Sequence, residues 1–146
     1  MRDGERPSFI DLPRESVIIT QGLLVAELAL WAAATDDRVE PHEISGVVAT
    51  VRQLPGLEGF SRDDAMSLLH EMSKLRSEAE VEARVSALTA AIAQPELQRV
   101  TYQLAVYCAA SDGELTHDEV DFLAFLQWRF GIGDDEAARL FSEVCA

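Results

Sequence analysis

Apolar residues recur every three or four positions through most of the chain, which is the spacing of one face of an α-helix. The first helix is predicted over roughly residues 15–34, and six more apolar stripes of the same period follow it. No segment alternates between apolar and polar residues in the manner of a strand with hairpin turns. The pattern therefore predicts an all-α fold of about seven helices.

Residues suited to helix ends mark several boundaries of these helices. Pro41 and Pro95 are placed for the first turns of the second and fifth helices, where proline is tolerated. Thr116 and Glu119 have the spacing of a capping box at the start of the sixth helix, and Gly131 ends that helix. The start and end signals thus agree with the apolar period.

The chain contains an internal duplication. Residues 28–44 align without a gap to residues 104–120, an offset of 76 (112 − 36), and 59–72 align to 131–144 at an offset of 72 (131 − 59). The matches include polar positions in the loops in addition to apolar positions, so chance similarity between alanine-rich helices is a poor explanation. Two copies of a three-helix block are expected to pack about a pseudo-twofold axis.

The duplication gives the predicted domain plan. The plan comprises a flexible N-terminal segment 1–14 and a single helical domain 15–146, in which repeat one is 15–76, a linking helix is 78–94 and repeat two is 95–146.

The amino-acid composition restricts the kinds of partner that the protein is expected to bind. There are 12 basic and 26 acidic residues, a net charge of −14, and 48% of residues are hydrophobic. The apolar content suffices for a core, whereas the negative charge disfavours nucleic acid and anionic membranes. A cation or a basic protein is the expected partner, and oligomeric state is left open.

The cysteines and the apolar runs favour a reducing compartment. Cys108 and Cys145 show neither metal-type nor disulfide-type spacing. The most apolar run, 22–34, is too short for a membrane span and contains Glu27. No apolar signal segment is visible at the N-terminus, so we expect a cytoplasmic protein.

The candidate chemistry lies at the two duplicated bends. Asp36 and Glu43 in the first repeat correspond to Asp112 and Glu119 in the second, and in each pair the glutamate follows the aspartate seven residues later. In one interpretation these acids only cap helices and shape turns. In the other, each pair points outward and binds a divalent cation such as Ca²⁺ or Mg²⁺, with Mn²⁺ or Zn²⁺ favoured if a neighbouring histidine takes part.

The second bend, with Ala110, Asp112, Gly113, Leu115 and Glu119, resembles the TerB-like family associated with tellurite resistance; the flanking Leu-Ala and Ala-Ala positions match it too. The first bend departs from the pattern, because Asp37 replaces the glycine. The resemblance extends over about residues 15–144. It implies a seven-helix fold, a non-enzymatic role in bacterial metal or oxyanion stress, docking to chaperone-type domains, and a cation site formed by the four acids named above.

Three functional hypotheses follow. The first is a non-enzymatic cation-binding domain. The second is a metal-free acidic interaction module that docks a basic partner. The third, an enzyme with two metals held by four clustered carboxylates, is the weakest and requires both bends to meet, which the sequence leaves open. No catalytic constellation is evident, and Trp31 and Trp128 are expected to be core anchors.

Overall fold

The computed structural model describes residues 19–36, 39–54, 56–110 and 114–145. These residues form seven α-helices and no strand, which confirms the all-α prediction. The helices are α1 (Ile19–Ala33), α2 (Pro41–Val51), α3 (Arg62–Met72), α4 (Glu78–Ala91), α5 (Pro95–Ala110), α6 (His117–Phe130) and α7 (Asp134–Cys145), and a short 3₁₀ turn (Ala34–Asp36) follows α1. The segment 1–14, predicted to be flexible, lies outside the described residues.

The core is built around the pair α1 and α5, the first helices of the two repeats, which pack against each other more extensively than any other pair among the described residues. Both helices are rich in alanine on their buried faces, and the small side chains allow the two backbones to approach closely. The buried residues of the two helices include Val25, Leu28, Ala29, Ala32, Val100, Leu104, Ala105 and Cys108. The remaining helices pack around this pair, so any site near the ends of α1 and α5 is held by the core itself.

A buried polar residue occupies the same position in both repeats but has a different partner in each. Glu27 of α1 receives two hydrogen bonds from Arg84 of α4, at 2.8 and 2.6 Å. Its counterpart in α5 is Gln103, whose amide donates to Glu143 of α7 at 2.8 Å. These contacts fasten α4 to the first repeat and α7 to the second, so the duplicated helices have diverged in what they hold.

Most predicted helix starts are found in the structure, and one helix is shorter than predicted. Pro41 and Pro95 begin α2 and α5. The linking helix, predicted over 78–94, ends at Ala91 because Ile92 has an extended backbone. Pro95 disfavours helical conformation at Gln94, the residue directly before it. At Ile92 the backbone carbonyl accepts a hydrogen bond from the side-chain amide of Gln98 at 2.9 Å.

The two tryptophans differ in their surroundings. Trp31 packs against the core and donates its indole N–H to Glu27 at 3.2 Å. Trp128 is 73% exposed, so the expectation that it anchors the core is wrong. It lies on the outer side of α6, away from the buried row that contains Leu123 and Leu126. Among the described residues, none of the helices combines the length and the apolar character needed to span a bilayer.

Candidate cation site at the helix bends

The two duplicated bends lie at the same end of the molecule. A Cβ atom placed on Gly46 of α2 would lie 2.2 Å from Cε2 of Tyr107, in the last turn of α5. The second turn of α2 therefore packs against the helix that leads into the other bend. On the opposite side, Ala34 and Thr35 of the first bend share a surface cavity with Phe122 of α6. Each bend is thus in contact with the other repeat.

These cross-repeat contacts involve equivalent positions. Tyr107 is the counterpart of Trp31 and Phe122 is the counterpart of Gly46, both at the offset of the duplication. Trp31 and Phe122 line a common cavity of about 470 Å³, and Tyr107 lies directly over Gly46. The arrangement is that of a pseudo-twofold axis, in which the aromatic residue in the last turn of each repeat's first helix faces the second helix of the other repeat.

The two candidate glutamates occupy the third position of α2 and of α6. Oε1 of Glu43 accepts a hydrogen bond from the backbone N–H of Glu40 at 2.8 Å. Oε1 of Glu119 accepts from the backbone N–H of Thr116, also at 2.8 Å. Glu43 is 5% exposed and Glu119 is 3% exposed. Both carboxylates therefore cap their helices and are withdrawn from solvent.

Two further helices have the same capping arrangement on the surface. Asp64 accepts from the N–H of Ser61 at 2.8 Å in α3, and Glu80 accepts from the N–H of Ser77 at 3.1 Å in α4. Both of these acids are exposed. Because capping is achieved equally well in solvent, it does not account for the burial of Glu43 and Glu119. That burial is a feature of the duplicated bends.

The expectation that the acids of the bends point outward is wrong for Glu43 and Glu119. The neighbouring helix explains the burial of Glu43, since Gly46, one turn further along α2, packs against Tyr107 in the last turn of α5, and the charge of Glu43 acts on Cys108 of that helix. The side chain of Asp36 and the whole of Asp112 lie outside the described residues. The described part of the chain brings the two glutamates to one end of the domain, but it contains no group of three or more metal-ligating side chains.

The charge of Glu43 acts on the last turn of α5. Burial raises the pKa of the Cys108 thiol, and the negative charge of Glu43 raises it further. Burial also raises the pKa of Tyr107, with smaller contributions from Cys108 and Glu43. The sequence does not single out Tyr107. The signal available in the sequence was Gly46, a glycine inside a predicted helix, which is typical of a close packing contact.

The family comparison agrees with this architecture. The family described as tellurite resistance protein TerB matches residues 23–142, which include both bends and all four candidate acids. The chain belongs to the TerB family. It is therefore a tellurite-resistance-associated domain, and the resemblance predicted from the second bend is confirmed. No match was found among curated proteins or among solved structures.

Proposed function

We propose that this TerB-family domain is non-catalytic and binds a divalent cation at the joined bends as part of a cytoplasmic metal-stress or tellurite-stress response. Glu43 and Glu119 would contribute carboxylate oxygens, together with Asp36 and Asp112 of the same motif. The observation that carries the proposal is the burial of two equivalent glutamates at one end of the domain. Exposed acids do the same capping in α3 and α4.

Burial of a carboxylate is costly unless its charge is compensated. The helix N-terminus and a backbone amide contribute to that compensation for each glutamate. A carboxylate accepts several bonds at once, and metal-ligating carboxylates are commonly held by hydrogen bonds from other groups. Capping and cation binding are therefore compatible, and the cap would fix the orientation of each ligand.

The donor set favours a hard cation. Carboxylate oxygens suit Ca²⁺, Mg²⁺ and Mn²⁺. His42 and His117, which would shift the preference toward Zn²⁺, are exposed on the first turns of α2 and α6 rather than buried with the glutamates. Tellurite itself is an anion and would be repelled by a net charge of −14. The proposed ligand is accordingly a cation and not the oxyanion.

Thermal melting in the presence of Ca²⁺, Mg²⁺, Mn²⁺ or Zn²⁺ tests the proposal. Binding at an ion concentration of a hundred times Kd stabilises the folded state by about 2.7 kcal/mol, which raises Tm by roughly 5–10 °C for a domain of this size. Glu119→Gln should reduce this gain, because glutamine retains the capping interaction but loses the charge. Asp112→Asn should reduce it as well.

Glu80→Gln is the matched control for that experiment. It makes the same substitution at the same position of a capping box, on the exposed first turn of α4. The control should respond to the ion as the wild type does. An absence of any ion-dependent rise in Tm, or an equal rise in the Glu119→Gln variant and the wild type, would refute cation binding at the bends.

A second candidate function is a metal-free interaction module that docks a basic partner. A specific observation favours it, namely the exposed apolar side of α6 that includes Trp128. The acidic charge of the domain would attract a basic partner and steer its approach. Partner binding that is unaffected by a chelator would distinguish this function from the first.

A further inference from the structure

The outer side of α6 carries an apolar row that is open to solvent. Val120, Ala124 and Trp128 are spaced four residues apart and therefore lie on one line along the helix. All three are exposed, Val120 to 47% and Trp128 to 73%. Phe125 extends the row, since its ring centroid is 6.3 Å from that of Trp128. We call these four residues the α6 patch. Solvent-facing helix positions are usually polar, so an apolar run over several turns indicates a contact surface.

The duplication provides an internal reference for this patch. The counterpart of Val120 in the first repeat is Ile44, which is only 4% exposed. The counterpart of Ala124 is Val48, which is half-buried. The third helix of each repeat differs in the same sense, because α3 packs against both α1 and α2, whereas α7 packs chiefly on α5. The same apolar position is thus covered in one repeat and open in the other, among the residues that the structure describes.

The patch is held firmly in place. Arg129 donates from Nε to Oγ1 of Thr89 and from Nη2 to the carbonyl of Ser86, both at 3.0 Å, which ties α6 to α4. Its guanidinium carbon also lies 5.9 Å from the centre of the Phe125 ring. The arginine is committed to these contacts. A rigid apolar surface loses little entropy when a partner binds.

The charges around the α6 patch indicate the charge of the partner that it would bind. Asp118 and Asp121 are exposed on the same helix, and the chain as a whole has a net charge of −14. A second copy of this chain would bring these acids against their own equivalents, which opposes self-association. A cationic helix with one apolar side would match both the apolar row and the acidic surround.

We propose that the α6 patch is the docking site for a basic amphipathic helix of another protein. The proposal rests on the second candidate function and gives it a location and a partner chemistry. Trp128 would be the main anchor, since tryptophan is prominent among the residues that dominate binding energy. Val120, Ala124 and Phe125 would line the contact on either side of it.

The test uses the full chain and a fluorescently labelled leucine–lysine peptide, long enough for about five helical turns, with its leucines on one side. Fluorescence anisotropy measures its affinity for the wild type and for two variants. Trp128→Ala should weaken binding by tenfold or more. Met66→Ala is the matched control, because Met66 is an apolar residue on α3 with 47% exposure, and it should leave the affinity unchanged.

Two comparison peptides separate this contact from simple charge attraction. A leucine–lysine peptide of the same composition but scrambled order should bind more weakly, and its affinity should not respond to Trp128→Ala. A leucine–glutamate peptide with the original pattern should not bind. Equal affinity of the patterned and scrambled peptides would overturn the proposal.

Other outcomes would also overturn it and would show what fails. Patterned binding that Trp128→Ala leaves intact would place the docking site elsewhere and leave the second candidate function standing. If none of the peptides binds, both the α6 docking site and the second candidate function are refuted. A wild-type dimer in sedimentation that Trp128→Ala dissociates would assign the patch to a second copy. The ion-dependent Tm of Trp128→Ala should equal that of the wild type, so failure here is separate from failure of the cation site.

Discussion

Replacing Gly46 by alanine tests the contact that joins the two bends. The new Cβ would lie 2.2 Å from Cε2 and 2.8 Å from Cζ of Tyr107, whereas non-bonded carbon atoms prefer about 3.5–4.0 Å. The ring or α2 must therefore move by more than an ångström. Overpacking of this kind typically costs about 1–3 kcal/mol. Alanine gains about 1 kcal/mol over glycine in a helix interior, so the net change is a loss of up to about 2 kcal/mol.

A double-mutant cycle isolates this contact. Tyr107→Ala removes the ring, so Gly46→Ala in that background should stabilise the domain by about 1 kcal/mol. The change in the free energy of unfolding caused by Gly46→Ala therefore has opposite signs with and without the ring of Tyr107. Such non-additivity is the mark of two residues in contact. Urea unfolding followed by far-UV circular dichroism measures the four free energies of unfolding. Additive effects, with Gly46→Ala stabilising in both backgrounds, would refute the contact and with it the joining of the bends.

Three further predictions concern thiol chemistry, an ion pair and a helix end. Cys145 should react with a thiol reagent in the folded protein and Cys108 only on unfolding, because Cys108 is buried and Cys145 exposed. Burial raises the pKa of Cys108, so the thiol stays protonated in the folded state at a pH where it ionises in the unfolded chain. Above about pH 8.5 the free energy of unfolding should therefore fall by about 1.4 kcal/mol per pH unit. The Cys108→Ala variant should lack this contribution to the slope. Arg84→Met should destabilise the domain by about 1.5–2 kcal/mol in urea unfolding, since Glu27 loses two charged hydrogen bonds. Gly131→Ala should cost about 1 kcal/mol by the same assay, because Gly131 has a φ of 66°.

Each of these predictions has a result that would count against it. Rapid labelling of Cys108 in the folded state would show that the interior of α5 opens readily. A neutral Arg84→Met would mean that Glu27 is hydrated and that its ion pair does not fasten α4. An unchanged stability of Gly131→Ala would show that the chain leaves α6 by a different backbone route.

Helix positions could be predicted from sequence because their signals are local. Pro41, Pro95 and Thr116 act within one turn, and α2, α5 and α6 begin where these residues indicate. The linking helix was predicted three residues too long, because the apolar stripe continues through Ile92, which is buried although its backbone is extended. Ile92 is therefore buried without being helical, and the apolar period runs past the end of the helix.

The arrangement of the site could not be predicted in the same way. The two bends lie together because of the way α1 packs against α5, and this packing cannot be read from the sequence of either helix alone. The burial of Glu43 and Glu119 was also hidden, because the same capping pattern at Glu80 lies on the surface. Trp128 was misplaced since α6 is apolar on its outer side as well as its inner side, and periodicity then fails to identify the buried side. In each case the deciding contact is between helices distant in sequence.

The most direct test of the central claim is a titration of the ¹⁵N-labelled chain with Mn²⁺, observed by amide NMR. A paramagnetic ion broadens the signals of nearby amides, so one bound ion at the joined bends should broaden the signals of both Glu43 and Glu119 at the same low ratio of ion to protein. The amide of Glu80, an exposed capping acid on α4, should remain sharp. Broadening confined to one bend, or spread evenly over exposed acids including Glu80, would contradict a shared cation site built from the two repeats.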